Sequence, residues 1–261
     1  DGVDVTTWAD ISGNSVSFGA SGDAGSGLPS YVANDVNANN QPVLEFDDGN
    51  EERLVINPYA NMPSTEITTI VVFSTDNADE ALISYAVSGQ SNEYLLFDQD
   101  NVRTFVDGDR NNDGATTGRN FQDGIANYNI FTSTWTSAAG ALRHYKNTEQ
   151  VVTASISSGE SLVNGGSLVI GGEQDAIDGG YDAGQDFGGR IAEIIMFNSV
   201  LNSAQRHIIA NYLSAKYGID VNTAGNDFYT FNDATFIQNI SGIGAEADGS
   251  ETSGESAGFQ I

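Results

Sequence analysis

The sequence predicts an all-β protein: a two-sheet sandwich of jelly-roll type with one short α-helix near residues 203–217. Three observations carry this expectation. Short runs rich in β-branched and aromatic residues recur along most of the chain. Gly, Asn, Asp and Ser cluster between these runs, as turns require. A single segment places its apolar residues at helical spacing. Many short strands joined by polar turns bury their apolar faces by packing two sheets together.

The expected strands, in order, are 43–46 (VLEF), 67–74 (ITTIVVFS), 81–87 (ALISYAV), 93–98 (EYLLFD), 102–106 (VRTFV), 127–136 (NYNIFTSTWT), 141–147 (ALRHYKN), 150–154 (QVVTA), 167–171 (SLVIG) and 190–198 (RIAEIIMFN). Several alternate, as Leu142 and His144 do against Arg143 and Tyr145. Trp135 lies on one alternating strand and reads as core. The helix is expected over 203–217, with Ser203 as N-cap and Leu201 before it as half of a hydrophobic staple. Ile208, Ile209, Tyr212, Leu213 and Tyr217 form its apolar face, and Gly218 stops it.

The chain has 261 residues, with nine Lys+Arg against 36 Asp+Glu and a formal charge of −27. Such a surface repels phosphate backbones and anionic lipid, which excludes nucleic acid and anionic membranes as partners. Hydrophobic residues make up 39% of the chain, enough for a core rather than a disordered acidic tail. There is no cysteine, so disulfides and cysteine-held metals are excluded. No apolar run reaches the roughly 20 residues of a membrane-spanning helix. No signal peptide is present, and the chain begins at Asp1, so a processed or trimmed piece is expected. Composition shifts after Val221: residues 1–221 read as the β domain, and 222–261 as a C-terminal extension or the start of a following module.

Two segments stand out as a signature. The first is W-A-D-I-S-G-N (8–14), followed by Pro29-Ser30-Tyr31 and Pro42-Val43-Leu44-Glu45-Phe46-Asp47. The second is F-G-G-R-I-A-E-I-I-M-F-N (187–198) with the helical run that follows. Together they resemble the laminin-G-like, concanavalin A-like jelly roll of large secreted surface proteins and adhesins of Bacteroidota. The closing I-S-G-I-G-A-E (240–246) is similar to the segment that follows this jelly roll in such proteins. The resemblance implies an extracellular, cell-surface setting and carbohydrate binding at rim loops, often with calcium. Such domains usually open with a strand before the W-A-D segment, so the first strand is expected to be missing. Another chain or segment would then complete that sheet edge, because an unpaired edge invites pairing.

Two acidic loops are candidate calcium sites, since Ca²⁺ takes six to eight oxygens from closely spaced side chains. In D-G-D-R-N-N-D-G (107–114), Asp107, Asp109, Asn111 and Asp113 are the expected ligands, with Asp123 just after and Asp98 and Asp100 across a hairpin. An EF-hand is excluded, because Asn120 occupies the twelfth position and the flanks are not helical. The alternative is a solvated polar turn. In the Gly-rich loop before 190–198, Asp175, Asp178 and Asp182 are candidate metal ligands. There Tyr181 and Asp186 are candidate ligand-binding residues, Tyr181 by stacking on a sugar ring. Asp47 to Glu52 read as a solvated turn, Trp8 as core, and His144 and His207 as structural or exposed.

No G-x-S-x-G, H-E-x-x-H or P-loop motif occurs. Glu193 has Ile191 and Ile195 on its own strand face, so no second carboxylate pairs with it for glycosidase chemistry. It is expected to tie down a loop or the helix. The expected function is a non-catalytic extracellular module binding carbohydrate or a cell-surface ligand, with calcium. The alternatives are a structural spacer or cargo domain without a sugar ligand, and a carbohydrate-active enzyme or its accessory module.

Overall fold

Strand β7 (Glu66–Thr75) shows how the sequence builds the layers. Its Ile67, Val71 and Phe73 enter one buried cluster, while Ile70 and Val72 enter another. Alternation along a strand sends successive side chains to opposite faces, so both faces of this sheet are covered. That is why 67–74 reads as a continuous apolar run rather than an alternating one.

The computed structural model describes residues 2–14, 16–78, 80–99, 101–111 and 121–221. Before β7 come β1 (Val3–Asp4), β2 (Thr7–Ala9), β3 (Ser17–Ala20), β4 (Ser30–Asp35), β5 (Gln41–Phe46) and β6 (Leu54–Tyr59). After it come β8 (Glu80–Val87), β9 (Gln90–Gln99), β10 (Asn101–Val106), β11 (Asp109–Arg110), β12 (Asn129–Thr136), β13 (Ala141–Lys146) and β14 (Glu149–Ser155). The series closes with β15 (Gly166–Ile170), β16 (Gln174–Ala176), β17 (Gly179–Tyr181), β18 (Gly189–Phe197) and α1 (Ser203–Tyr217). One eight-stranded sheet has the order β1-β4-β5-β18-β7-β12-β13-β14, and the other β11-β10-β9-β8-β15-β6-β3-β2. All pairings between these strands are antiparallel. The expected two-sheet sandwich with one helix is therefore the fold.

The main core lies between the sheets and holds Phe73, Phe121, Phe131, Trp135, Tyr85, Tyr94 and Phe187. Trp135 is fully buried, as expected, and its indole N–H donates to the Ile156 carbonyl at 3.1 Å. His144 is also buried there, with Nε2 2.8 Å from Thr104 Oγ1, which joins the two sheets through β13 and β10. Trp8 is only partly buried; it packs on Phe18 with ring centroids 6.3 Å apart and covers the edge of the core.

The second cluster lies under α1 and includes Leu201, Ala210, Leu213, Tyr217 and Val221. Each fully buried Leu or Tyr side chain of this kind contributes about 1.5–3 kcal/mol. Two expectations for the helix need correction. Asn202, not Ser203, is the N-cap: its side chain accepts from the Gln205 N–H at 3.0 Å, and Gln205 Oε1 accepts from the Asn202 N–H at 2.9 Å. This reciprocal pair is a capping box, which an N-cap Ser203 would forgo. Ile208 and Tyr212 are not core but 49% and 51% exposed. At 100° per residue they point about 160° and 120° away from the face centred on Leu213 and Tyr217, toward solvent. Gly218 ends the helix at φ 71°, as expected.

A register shift between Ile191 and Glu193 in β18 accompanies a turn of Glu193 toward the helix. Its Oε2 accepts from Lys216 Nζ at 2.9 Å and from the Tyr217 hydroxyl at 2.8 Å. Glu193 thus ties down the helix. Among the described residues, no helix is long and apolar enough to cross a membrane.

Candidate metal and ligand site

The segment 171–188 leaves β15, forms a small hairpin over the second sheet and enters β18. Gly171 lets it begin: its φ is 90°, and a side chain there would run into the Phe46 ring. Gln174 anchors the hairpin. Its buried amide donates to the carbonyls of Ser84 at 3.1 Å and Ser167 at 2.9 Å and accepts from the Asp178 N–H at 2.9 Å. Asp178 then sits at φ 48° in the turn between β16 and β17. Its Oδ1 accepts from Ser21 Oγ at 2.6 Å and the Tyr181 hydroxyl at 3.1 Å, and its Oδ2 from the Gly22 N–H at 3.0 Å. An expected metal ligand thus has both oxygens engaged in holding the loop.

Asp186 is buried, and Oδ1 accepts from Arg53 Nη2 at 2.9 Å. Arg53 is fully buried, also faces Glu51 at 3.3 Å, and lies 3.8 Å from the centroid of the Tyr181 ring. Burial pushes the Asp186 carboxyl up to about 6; Arg53 opposes this, while Glu51, Asp48 and Asp182 add to it. Asp186 is therefore a buried ion-pair partner rather than an exposed ligand group. One face of Tyr181 is taken by a guanidinium, a cation–π contact that leaves only the other for a sugar.

The remaining carboxylates of this segment are not neutralised. Glu173 is 5% exposed, and burial, followed by the negative charges of Asp175 and Asp182, pushes its carboxyl up to about 7. Asp175 and Asp182 are both exposed beside it. A buried carboxylate facing only like charges is one that a cation would relieve. Hard carboxylate oxygens are the donors Ca²⁺ prefers. Strand β16 also packs against β8 and β9. These carboxylates are donors of the kind calcium takes, but among the described residues no three His, Cys, Asp or Glu side chains are placed to hold a metal ion. Glu173 was not among the residues expected from sequence. Its signal is position: it stands directly between Gly171-Gly172 and the Asp175 to Asp186 run.

The 107–114 loop is arranged differently. Asp107 takes a positive φ of 48° in the turn after β10. Asp109 Oδ1 accepts from the Arg110 N–H at 2.9 Å, and its Oδ2 from the Ser157 N–H at 3.2 Å. Asn111 is buried and gives Oδ1 to the Thr104 N–H at 2.8 Å, continuing the sheet edge. Asp123 Oδ2 accepts from Lys146 Nζ at 2.7 Å and Asn129 Nδ2 at 2.9 Å. Asp113 lies outside the described residues, as does Asp100. Asp47 to Glu52 form the solvated turn expected, with Asp47 accepting from the Gly49 N–H at 3.0 Å.

Comparison with known proteins supports the fold and supplies a family. Residues 47–230 match the model of the Pentaxin family. The chain is 28% identical to rat (Rattus norvegicus) serum amyloid P-component over 172 residues, covering 65% of this chain and 74% of that protein. It is 31% identical to pig (Sus scrofa) C-reactive protein over 141 residues, covering 54% of this chain and 61% of that one. Among solved structures, the heptameric SAP-like pentraxin of Limulus polyphemus superposes with a TM-score of 0.50 at 18% identity, over 62% of this chain and 76% of that one. Domain 4 of an extracellular arabinanase from Geobacillus stearothermophilus gives 0.54 at 12% identity, over 77% and 92%. The pentraxin relatives named here are animal proteins, and they lend no support to a bacterial adhesin setting. The chain belongs to the Pentaxin family, whose members are calcium-dependent binding proteins and not enzymes.

Proposed function

We propose that this chain is an extracellular, non-catalytic binding module that takes a carbohydrate or another cell-surface ligand at the 173–186 rim, with calcium held by Glu173, Asp175 and Asp182. The observation that carries this reading is Glu173, buried among negative charges while Arg53 neutralises Asp186 instead. Calcium bound there would remove the like-charge repulsion and present open coordination positions to ligand oxygens. Asp182 lies beside Glu173 in charge, and Tyr181, next to Asp182 in sequence, belongs to the same rim. Asp107, Asp109 and Asn111 are the weaker calcium position, because backbone N–H groups already occupy oxygens of Asp109 and Asn111. A secreted, extracellular setting is supported by the family's members; the cell-surface and adhesin setting rests on the sequence resemblance alone.

The test is glycan-array binding of the full chain in millimolar calcium and in EDTA. Binding to defined glycans that EDTA abolishes supports the reading. Calcium binding without any glycan signal would favour the spacer or cargo reading.

A further inference from the structure

A cleft of about 410 Å³ opens between the segment joining β1 to β2 and strands β4, β5 and β18. It is lined by Asp4, Thr6, Thr7, Trp8, Tyr31 and Ile191, among others. No residue of the 173–186 rim and no cationic side chain lines it. Its size lies within the range of small-molecule sites, about 300–1,000 Å³.

Four buried aromatic side chains elsewhere in the fold have their polar tips satisfied by protein. The hydroxyls of Tyr85, Tyr128 and Tyr217 and the indole of Trp135 donate to Val163 O, Asp35 Oδ2, Glu193 Oε2 and Ile156 O. In the cleft, the Trp8 indole N–H and the Tyr31 hydroxyl make no hydrogen bond to the described residues. Tyr31 is 41% exposed, and Trp8 is only partly buried. Two flat apolar rings, each with a free polar tip, thus share one concave site.

We infer that this cleft is a second ligand site, taking a neutral sugar ring without a metal ion. An anion is disfavoured by Asp4 and by the absence of a lining cation. A hydrocarbon would cover the free N–H and O–H groups and leave them unsatisfied. A sugar ring lays its C–H face on an aromatic ring while its hydroxyls pair with Trp8, Tyr31, Thr6, Thr7 and Asp4. This site does not depend on the calcium reading of the 173–186 rim.

The full chain in EDTA is titrated with glucose, galactose, N-acetylglucosamine, maltose and lactose while tryptophan emission and acrylamide quenching are followed. Trp135 is fully buried, so ligand-dependent changes report Trp8. The expected result is a saturable emission shift and reduced quenching with at least one sugar, unchanged by calcium or by Glu173→Gln. Tyr31→Phe should weaken binding about fivefold through one lost hydrogen bond, and Tyr31→Ala further. No saturable response across the panel overturns the inference. So does a response that requires calcium, or full affinity in Tyr31→Ala at an unaltered melting temperature.

Discussion

Arg53 and Asp186 form an ion pair of 2.9 Å with both side chains fully withdrawn from water, although 133 residues separate them in the chain. Two charges taken out of water hold each other only while both remain. Arg53 Nε and Nη1 and Asp186 Oδ2 are buried without a hydrogen-bond partner, so the pair is incompletely satisfied.

Removing one partner should therefore hurt far more than removing both. Arg53→Met or Asp186→Leu alone is expected to cost about 3–5 kcal/mol. The double substitution should recover most of that loss. Urea unfolding of the four proteins checks this, and two losses that simply add would contradict the coupling.

A different pH signature belongs to Asp35. Burial alone would raise its carboxyl, but the Tyr128 hydroxyl, the Asn37 N–H and Arg190 outweigh it and hold the carboxyl below its ordinary 3.8. The folded chain then binds this proton more weakly than the unfolded chain does. The resulting stability is present above pH 3.8 and is lost as pH falls through the lowered folded value. Asp35→Asn should flatten the acid limb of the melting-temperature profile and cost about 1–3 kcal/mol at neutral pH. An acid limb identical to wild type would contradict it.

The capping box makes a sharp distinction between neighbours. Asn202→Ala should cost about 1 kcal/mol, whereas Ser203→Ala should cost a few tenths at most. Chemical denaturation of the two variants separates them; equal losses would contradict the assignment of Asn202.

These cases show what the sequence reveals and what it conceals. Strands such as 67–74 and 127–136 are legible because composition and turns mark them locally. Strand β6 was not expected, because Pro58 in LVINPY argues against a strand that pairs on both sides. Strands β1 to β4 are short or polar, and the sheets, not their propensity, hold them. In the candidate site, the acidic loop was visible, but its division was not. Asp186 and Glu173 look alike in sequence; only the fold brings Arg53 to one and leaves the other among like charges. Asp178 likewise reads as a ligand until Ser21 and Gly22 arrive from the far end of the chain.

Calcium binding at Glu173 tests the central claim most directly. Isothermal titration of calcium into the EDTA-stripped full chain should give saturable binding, weakened about tenfold or more by Glu173→Gln, because that change removes a charged ligand oxygen. No calcium binding at millimolar concentration, or equal affinity in wild type and Glu173→Gln, would contradict the account.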